Sequence, residues 1–269
     1  MPIRERILTM GVTGSGKSYQ WLQMAEYLLS TGAKFRCIDT DNDIQYMLET
    51  QFPALLLENG GNVVVHPASC WPEYREAITW LKAENEKGEV KDKDWVVVDK
   101  ISNAWMHVQD YYVQEVFHQD VGEYFLAARK SLLARGDRDS KGKKVSSLQG
   151  EVFEGWKDWI VINKLYRDFI TPIIYQLPCH VYMATNVEKV EASERDASIL
   201  SLFGGFGLKP VGQKEIGGQL HTILLLKPGK DKWYVSTAKD RAGRAYFVNN
   251  QLSSLFVQYL VARAGWEMP

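Results

Sequence analysis

The sequence predicts an α/β fold with a mostly parallel central sheet flanked by helices, and with antiparallel strands toward the C-terminus. Short apolar runs alternate with stretches of helical periodicity, the pattern of parallel strands joined by crossover helices. Two late apolar runs, at about 220–227 and 232–237, are joined by KPGKDK, a turn-forming sequence that predicts a hairpin. A chain of 269 residues with 45% hydrophobic content suits a globular domain.

The predicted elements follow one another without an internal repeat. The predicted strands before the hairpin are 7–10, 35–38, 62–66, 95–98 and 180–184. The predicted helices are 18–29, 71–86, one or two within 103–133, 156–175 with a kink near Pro172, and 251–264. We expect residues 1–269 to form a single domain. Two excursions, about 134–153 and 187–219, are long enough to be functional or disordered.

The composition excludes several classes of protein. Every apolar run is far shorter than the roughly 20 residues of a membrane span. No apolar stretch of signal-peptide length lies near residue 1, so we expect a cytoplasmic protein with no membrane partner. The three cysteines lack metal-ligand spacing, which indicates reduced thiols. A net charge of −1 neither favours nor excludes a nucleic-acid partner.

The stretch GVTGSGKS at 11–18 matches the phosphate-loop (Walker A) pattern G-x-x-x-x-G-K-[ST] in full. A predicted strand precedes it and a predicted helix follows, so backbone N–H groups and the helix N-terminus can surround phosphate oxygens. Lys17 would reach the β- and γ-phosphates, and the Ser18 hydroxyl would bind Mg²⁺. A chance glycine turn explains neither the complete pattern nor both flanks. The predicted nucleotide-binding residues are Gly11, Thr13, Gly14, Ser15, Gly16, Lys17, Ser18 and Tyr19.

The stretch WVVVD at 95–99 supplies a second acidic ligand. Its four apolar residues end in Asp99, at the carboxyl end of a strand, where open α/β sheets bind their ligands. This Walker B pattern predicts that Asp99 holds Mg²⁺ together with Ser18; the alternative is a cap for the next helix. We expect ATP and Mg²⁺ as the bound groups. Adenine is favoured by default, because NVEK at 186–189 lacks the base-reading N-K-x-D motif of GTPases.

Three acidic residues follow the predicted strand 35–38 in the stretch FRCIDTDND. A carboxylate beside the phosphate-loop strand can polarise a water molecule for in-line attack on the γ-phosphate. The spacing alone does not decide between Asp39 and Asp41. Turn or cap roles for Asp39, Asp41 and Asp43 are the alternative.

The combination of these motifs resembles the RecA-like P-loop NTPase core. The likeness rests on the phosphate loop, a strand ending I-D-x-[DE], WVVVD, VYMATN at 181–186 and K-D-R-x-G from Lys239. The glycine-rich FGGFGLKPVGQKEIGG is similar to the family's return into the sheet. The whole looks most like the compact phage-encoded recombinases and single-strand annealing proteins, which implies the host cytoplasm as its compartment.

The resemblance implies roles that the spacing does not supply. Asp41 would be the water-activating residue, and Lys17 would act on the phosphates during catalysis. Lys239 and Arg241 would reach the γ-phosphate of a neighbouring subunit in a homo-oligomer, either a ring or a filament. In the family, the loop after the 181–186 strand contacts single-stranded DNA, and 187–219 takes its place here. A single-strand-binding protein is a further partner that such a protein would meet.

Binding of single-stranded DNA requires cations along the phosphates and flat side chains under the bases. Seven basic and two acidic residues lie within 129–144. A solvated surface loop is the alternative for this segment, and packing onto the core is the alternative for the two phenylalanines in the set. We assign Trp95, Trp105, Trp156, Trp159 and Trp233 to packing. The candidate DNA-binding residues are Arg135, Arg138, Lys141, Lys143, Lys144, Phe203, Phe206, Lys209 and Lys214.

The leading hypothesis is a RecA-like protein that binds and hydrolyses Mg-ATP, binds single-stranded DNA and promotes annealing or recombination, with hydrolysis stimulated by DNA. The alternative is a nucleotide-gated regulatory or assembly ATPase that binds no DNA. A small-molecule phosphotransferase is disfavoured because the sequence contains no arginine-rich lid helix.

Overall fold

A computed structural model describes residues 4–134, 156–243 and 246–261. Within these ranges an eight-stranded sheet has the order β10-β9-β8-β1-β5-β4-β2-β3, and β6 and β7 form a separate antiparallel pair. The strands are β1 (Arg6–Met10), β2 (Phe35–Asp39), β3 (Val63–Pro67), β4 (Trp95–Asp99), β5 (His180–Thr185), β6 (Val187–Lys189), β7 (Leu208–Pro210), β8 (Thr222–Pro228), β9 (Trp233–Asp240) and β10 (Asn250–Leu252).

Helices cover both faces of the sheet. They are α1 (Lys17–Tyr27), α2 (Ile44–Thr50), α3 (Trp71–Glu86), α4 (Ile101–Phe117), α5 (Val121–Ala134), α6 (Trp156–Thr171), α7 (Ala197–Phe203) and α8 (Ile216–Gln219). Single 3₁₀ turns occupy Leu29–Thr31, Pro53–Leu55, Leu57–Asn59 and Gly204–Phe206, and π-helical turns occupy Pro172–Gln176 and Phe256–Leu260. No helix in the described ranges is long and apolar enough to cross a membrane.

The strand order places polar residues from distant parts of the chain along one edge. Strands β8, β1, β5, β4, β2 and β3 are parallel, so their carboxyl ends share an edge. In the register, Asp39 on β2 lies opposite Asp99 on β4, and Met10 at the end of β1 lies opposite Thr185 on β5. Strand β5 lies between β1 and β4. The loop after β1 and the acid that ends β4 therefore face each other across one strand.

The central strands are buried on both faces, which explains their continuous apolar runs. Along β4, Val96 and Val98 pack in the core beneath α3, α4 and α6, whereas Trp95 and Val97 pack in the opposite core beneath α1. This alternation is the two-residue period of a strand. The predicted α/β fold class, a mostly parallel central sheet flanked by helices with antiparallel strands toward the C-terminus, is confirmed by this sheet and its flanking helices.

The segment 187–219 differs from the irregular loop expected. It contains the β6–β7 pair and the helices α7 and α8. Asp196 caps α7, because its carboxylate accepts hydrogen bonds from the backbone N–H groups of Ser198 (3.0 Å) and Ile199 (3.3 Å). The acidic and glycine-rich composition concealed this start signal. The segment 134–153 lies almost wholly outside the described residues.

Three other boundaries differ from expectation. The helix expected at 251–264 begins later: β10 ends at Leu252 and a helical turn starts at Phe256, with residues beyond 261 outside the described ranges. The helix α2, between Ile44 and Thr50, was not expected at all. At Pro172 the chain changes from α-helix to a π-helical turn, since proline cannot donate the hydrogen bond that an α-helix needs there.

A buried histidine lies at the amino end of β5. The Nδ1 atom of His180 accepts a hydrogen bond from the backbone N–H of Glu5 (2.9 Å), and its ring stacks on Trp95 at 4.7 Å. Burial, together with the positive charge of the nearby Arg4, lowers the pKa of His180 from 6.5 to about 4. In the unfolded chain the imidazole of His180 is therefore protonated below about pH 6.5, whereas in the folded protein it stays neutral down to about pH 4. The stability that the neutral imidazole contributes is lost as the pH falls through this window.

We predict that this residue removes about 2 kcal/mol of unfolding free energy between pH 7 and pH 5. The variant His180→Asn keeps an acceptor for the Glu5 N–H but does not titrate. Urea unfolding of both proteins at the two pH values measures the effect. The difference in unfolding free energy between wild type and His180→Asn should change by that amount as the pH falls from 7 to 5. A difference that does not depend on pH would contradict the assignment.

Candidate functional site

The phosphate loop, residues 11–18, joins β1 to α1, and its backbone requires glycine at three positions. Gly14 (φ 77°) and Gly16 (φ 84°) are left-handed, a conformation that other residues adopt only with strain. A Cβ atom on Gly11 would lie 2.4 Å from Ser15 Oγ and 2.5 Å from the Leu226 carbonyl oxygen. The glycines of the motif are therefore explained by backbone geometry and by the close approach of β8.

Lys17 is buried, with 5% of its surface exposed, and its ammonium group donates to the carbonyl oxygens of Gly11 (2.9 Å) and Val12 (3.0 Å). Burial lowers its pKa to about 8, although the charge of Asp99 opposes the shift. The cation thus has only carbonyl dipoles as hydrogen-bond partners among the described residues. Such a buried cation suits a polyanionic ligand that enters the loop.

Asp99 is fully buried at the end of β4. Its Oδ2 atom accepts a hydrogen bond from Trp21 Nε1 (2.9 Å), and the nearby Ser18 hydroxyl also favours the charged carboxylate. Burial raises the pKa of Asp99, against the effect of these two groups. Its Oδ1 atom is buried and has no hydrogen-bond partner among the described residues. An orphaned carboxylate oxygen beside a hydroxyl fits a hard cation such as Mg²⁺.

The described residues contain no cluster of three or more His, Cys, Asp or Glu side chains that could hold a metal ion. At a phosphate-loop magnesium site the protein supplies few ligands, and substrate phosphates and water supply the rest. Ser18 and Asp99 are the two protein groups that the geometry brings together for that purpose.

Asp39 and Asp41 have different surroundings. Asp39 is buried, and its carboxylate accepts hydrogen bonds from the backbone N–H groups of Asn42 (3.1 Å) and Ile44 (3.0 Å). It therefore stabilises the turn into α2. Burial raises its pKa to about 6, although these backbone hydrogen bonds oppose the rise. Asp41 is half-buried, and its carboxylate forms an ion pair with the ammonium of Lys100. Of the two acids, Asp41 is the one whose carboxylate is not engaged in capping.

Sequence reasoning missed Lys100, which follows Asp99 directly. Its backbone is fixed to the end of β2: Lys100 N donates to Thr40 Oγ1 (2.6 Å), and Thr40 Oγ1 donates to the Lys100 carbonyl oxygen (3.0 Å). Although burial opposes it, the ion pair with Asp41 raises the pKa of Lys100. The charges of Lys100 and Asp41 also act on Lys17. A lysine directly after the acid that ends WVVVD was the signal that could have identified it.

Sequence reasoning also assigned Trp233 to packing alone. Its indole Nε1 donates to the Gly14 carbonyl oxygen (3.3 Å), and its ring packs on Tyr19 in a tilted arrangement with centroids 5.1 Å apart. A Cβ atom on Gly16 would lie 3.1 Å from the indole. Trp233 therefore contacts the phosphate loop from outside. No local sequence signal brings residue 233 to residue 14.

Lys239 and Arg241 lie far from their own phosphate loop. Lys239 is opposite Ile223 in the β8–β9 register, at the amino end of β8, whereas the loop is at the carboxyl edge. Its ammonium donates to the carbonyl oxygens of Gly217 (2.5 Å) and Leu220 (2.8 Å), and Arg241 donates to that of Gly218 (2.9 Å). Burial, followed by the charge of Arg241, lowers the pKa of Lys239 to about 8. Within one chain the two residues hold α8.

The candidate DNA-binding residues are dispersed. Phe203 is 4% exposed and lies beside Gly217 in the same core cluster as Ile223, so the expectation that its ring stacks on a base is corrected: it packs in the core. Phe206 is half-buried against the same core, and Lys209 is paired with Glu188 and Glu194. Lys214 is exposed. The remaining five, Arg135, Arg138, Lys141, Lys143 and Lys144, lie outside the described residues.

Comparison with known proteins gives one family match. The family model AAA_24, described as an AAA domain, matches residues 3–121, which include the phosphate loop and Asp99. No curated protein matches the chain. Together with the strand order and the phosphate loop, the family match supports a nucleotide-binding ATPase with an α/β P-loop fold.

Two solved structures illustrate what the chain is similar to. The RadB recombinase is 18% identical, with 88% of this chain and 82% of that chain covered and a TM-score of 0.47. A KaiC-like protein from the hyperthermophilic archaeon Pyrococcus horikoshii OT3 is 11% identical, with 91% of this chain and 82% of that chain covered and a TM-score of 0.46.

Proposed function

We propose that this protein binds Mg-ATP and hydrolyses it, and that single-stranded DNA is the polymer on which it acts. The observation that carries the ATPase proposal is the convergence of Lys17, Ser18 and Asp99 at one edge of the sheet. A buried ammonium and an orphaned buried carboxylate oxygen meet there in a loop whose backbone fits phosphate.

Hydrolysis requires a water oxygen to bond to the γ-phosphorus while the bond to the β–γ bridging oxygen breaks and ADP leaves. Asp41 is the proposed acceptor of the water's proton, and Lys17 the cation that stabilises charge on the β- and γ-phosphates. Bound Mg²⁺, held by Ser18 and Asp99, would supply further neutralisation of phosphate charge. Asp39 is left out of the chemistry because its carboxylate is engaged by backbone N–H groups.

The ion pair between Lys100 and Asp41 bears directly on this proposal. While the pair is formed, the Lys100 ammonium occupies an oxygen of the carboxylate that would receive the proton of the attacking water. The phosphates of bound ATP carry more negative charge than one carboxylate and compete for Lys100. We infer that nucleotide binding weakens the pair and thereby makes Asp41 available.

The variant Asp41→Asn should bind ATP with near wild-type affinity and hydrolyse it about 10²- to 10⁴-fold more slowly, because it loses a general base. Phosphate release and binding of a fluorescent ATP analogue measure the two properties separately. Lys17→Ala should weaken triphosphate binding or abolish turnover.

Asp43→Asn is the matched control, since it makes the same change at an exposed position two residues away. Its turnover should equal that of the wild type. Undiminished turnover by Asp41→Asn would remove Asp41 from the mechanism, and undiminished turnover by Lys17→Ala would remove the phosphate loop.

The DNA part of the proposal rests on charge and on the resemblance to RecA-like recombinases and annealing proteins of the compact phage type. Single-stranded DNA binds to grooves that carry cations along the backbone. The basic residues within 129–144 supply such cations, and Lys214 is exposed on the segment that follows β5. Phe203 is excluded from this role by its burial, and Lys209 by its two ion pairs. The proposed interface is therefore dominated by phosphate contacts.

Binding of labelled oligothymidine should accordingly be strong at low salt and weaken steeply as salt rises. The triple variant Lys141→Ala, Lys143→Ala, Lys144→Ala should bind more weakly and flatten the salt dependence. Lys82→Ala, Lys87→Ala, Lys93→Ala is the control of equal charge change elsewhere. ATP hydrolysis without DNA binding at low salt would overturn this part and favour a nucleotide-gated assembly ATPase.

The positions of Lys239 and Arg241 suggest how subunits would assemble. Both lie at the amino edge of the sheet, so neither can reach the phosphate loop of its own chain at the carboxyl edge. A head-to-tail contact between copies brings opposite edges together, and such contacts generate rings or filaments. We propose that Arg241, with Lys239, acts on the nucleotide of a neighbouring subunit.

Mixing two inactive variants tests this arrangement. Arg241→Ala lacks the cation, and Lys17→Ala lacks a working loop, so a mixed oligomer contains interfaces where a normal loop meets a normal Arg241. We predict partial recovery of ATP hydrolysis on mixing, measured as phosphate release. The contrary result is that mixing restores no hydrolysis and that Arg241→Ala hydrolyses ATP equally slowly at dilutions where the protein is monomeric. Arg241 would then have only the structural role of holding α8 in place.

A further inference from the structure

The start of β9 brings an aromatic side chain to the outside of the phosphate loop. Trp233 is opposite Pro228 in the β8–β9 register, three residues beyond the level at which β8 pairs with the end of β1. The indole donates to the Gly14 carbonyl oxygen at 3.3 Å. Its pyrrole nitrogen lies 3.1 Å from the position that a Cβ atom on Gly16 would take, and the left-handed φ of Gly16 (84°) also favours glycine there. The contact between Trp233 and the phosphate loop thus depends on the backbone geometry of Gly14 and Gly16.

Two more rings extend this surface. Tyr19 is the residue after Ser18, and its ring lies 5.1 Å from Trp233 at an interplanar angle of 32°. The ring of Phe52 packs against Tyr19, with ring centroids 5.3 Å apart and an interplanar angle of 60°. Phe52 itself is buried. Trp233 and Tyr19 are only half-buried. We call these three residues the aromatic patch: two partly open rings supported by a buried one.

The patch lies where a nucleoside would emerge from the loop. With the β- and γ-phosphates at Lys17, the α-phosphate lies toward the first turn of α1, next to Tyr19. The ribose joins the α-phosphate to the base, so the base would lie near this part of the loop. Aromatic side chains stack on bases without reading their edges, and a two-ring base offers more area than a one-ring base.

We propose that Trp233 and Tyr19 form a stacking surface for the base of the bound nucleotide, with a preference for purines. This inference rests on the proposed function, because it places the base beside the phosphate site described above. It assigns to the β8–β9 hairpin a role in nucleotide selection. It also assigns Trp233 a contact with substrate in addition to its contact with the loop.

The experiment compares ligands that share phosphates but differ in the base: ATP, CTP and inorganic triphosphate, each with Mg²⁺, titrated calorimetrically. Wild type should bind ATP more tightly than CTP, and CTP more tightly than triphosphate. Trp233→Ala should weaken ATP binding about tenfold and leave triphosphate binding within about twofold, because only the stacking contribution is lost. Trp233→Phe should restore most of the loss. Trp80→Phe, a tryptophan that stacks on His66 of β3, is the control.

A second readout avoids dependence on the folding of the alanine variant. ATP should change the tryptophan fluorescence of the wild type by an amount that is absent from Trp233→Phe, and inorganic triphosphate should not produce it. If Trp233→Ala weakens ATP and triphosphate by the same factor, Trp233 only shapes the loop and the inference is overturned. Equal wild-type affinity for all three ligands overturns it as well. Failure of wild type to bind even triphosphate would instead overturn the proposed function.

Discussion

The carboxylate of Asp99 is buried in the interior of the protein. The groups that stabilise its charge there also determine how the site is assembled. An unpaired buried carboxylate is strongly unfavourable. Its hydrogen-bond donor Trp21 and the nearby Ser18, which also favours its charged form, lie three residues apart on one side of α1. Helix α1 must therefore reach across β5 to the end of β4, which positions the phosphate loop. The hydroxyl of Tyr182, on β5, donates a hydrogen bond to the Lys17 carbonyl oxygen (2.8 Å) and thereby fixes the first turn of α1 to the sheet.

The same requirement explains the arrangement of the cations. Lys17 donates to carbonyl oxygens of its own loop, and Lys100 is paired with Asp41. Both ammonium groups thus bind oxygen atoms of the protein itself. The oxygen atoms of a bound triphosphate would be stronger, anionic partners for them. On the proposed function, nucleotide binding is an exchange of these partners. That exchange would couple occupancy of the loop to the freedom of Asp41.

The main elements and the phosphate motifs could be predicted because they depend on local pattern. GVTGSGKS and WVVVD show their roles through neighbouring residues, and strand register then brings Ser18 and Asp99 together. The division of roles between Asp39 and Asp41 could not be predicted, because it depends on which carboxylate meets the turn into α2. Helix α7 was missed because its cap, Asp196, stands in an acidic stretch that resembles a loop.

Contacts between distant parts of the chain were beyond sequence reasoning. Trp233 meets Gly14 only because the β8–β9 hairpin ends beside the phosphate loop. Phe203 appeared available for stacking on DNA, yet the return of the chain through α8 buries it against Gly217. In both cases the residue type was informative, but the tertiary environment decided its contacts.

The structure of the protein with Mg²⁺ and a non-hydrolysable ATP analogue tests the central claim most directly. The account predicts the triphosphate within residues 11–18 and the metal ion between Ser18 and Asp99. It predicts that Lys17 leaves the Gly11 and Val12 carbonyl oxygens for the phosphates, and that Lys100 no longer pairs with Asp41. A triphosphate bound elsewhere, or bound in the loop with the Lys100–Asp41 pair intact and Asp99 without a metal ion, would contradict it.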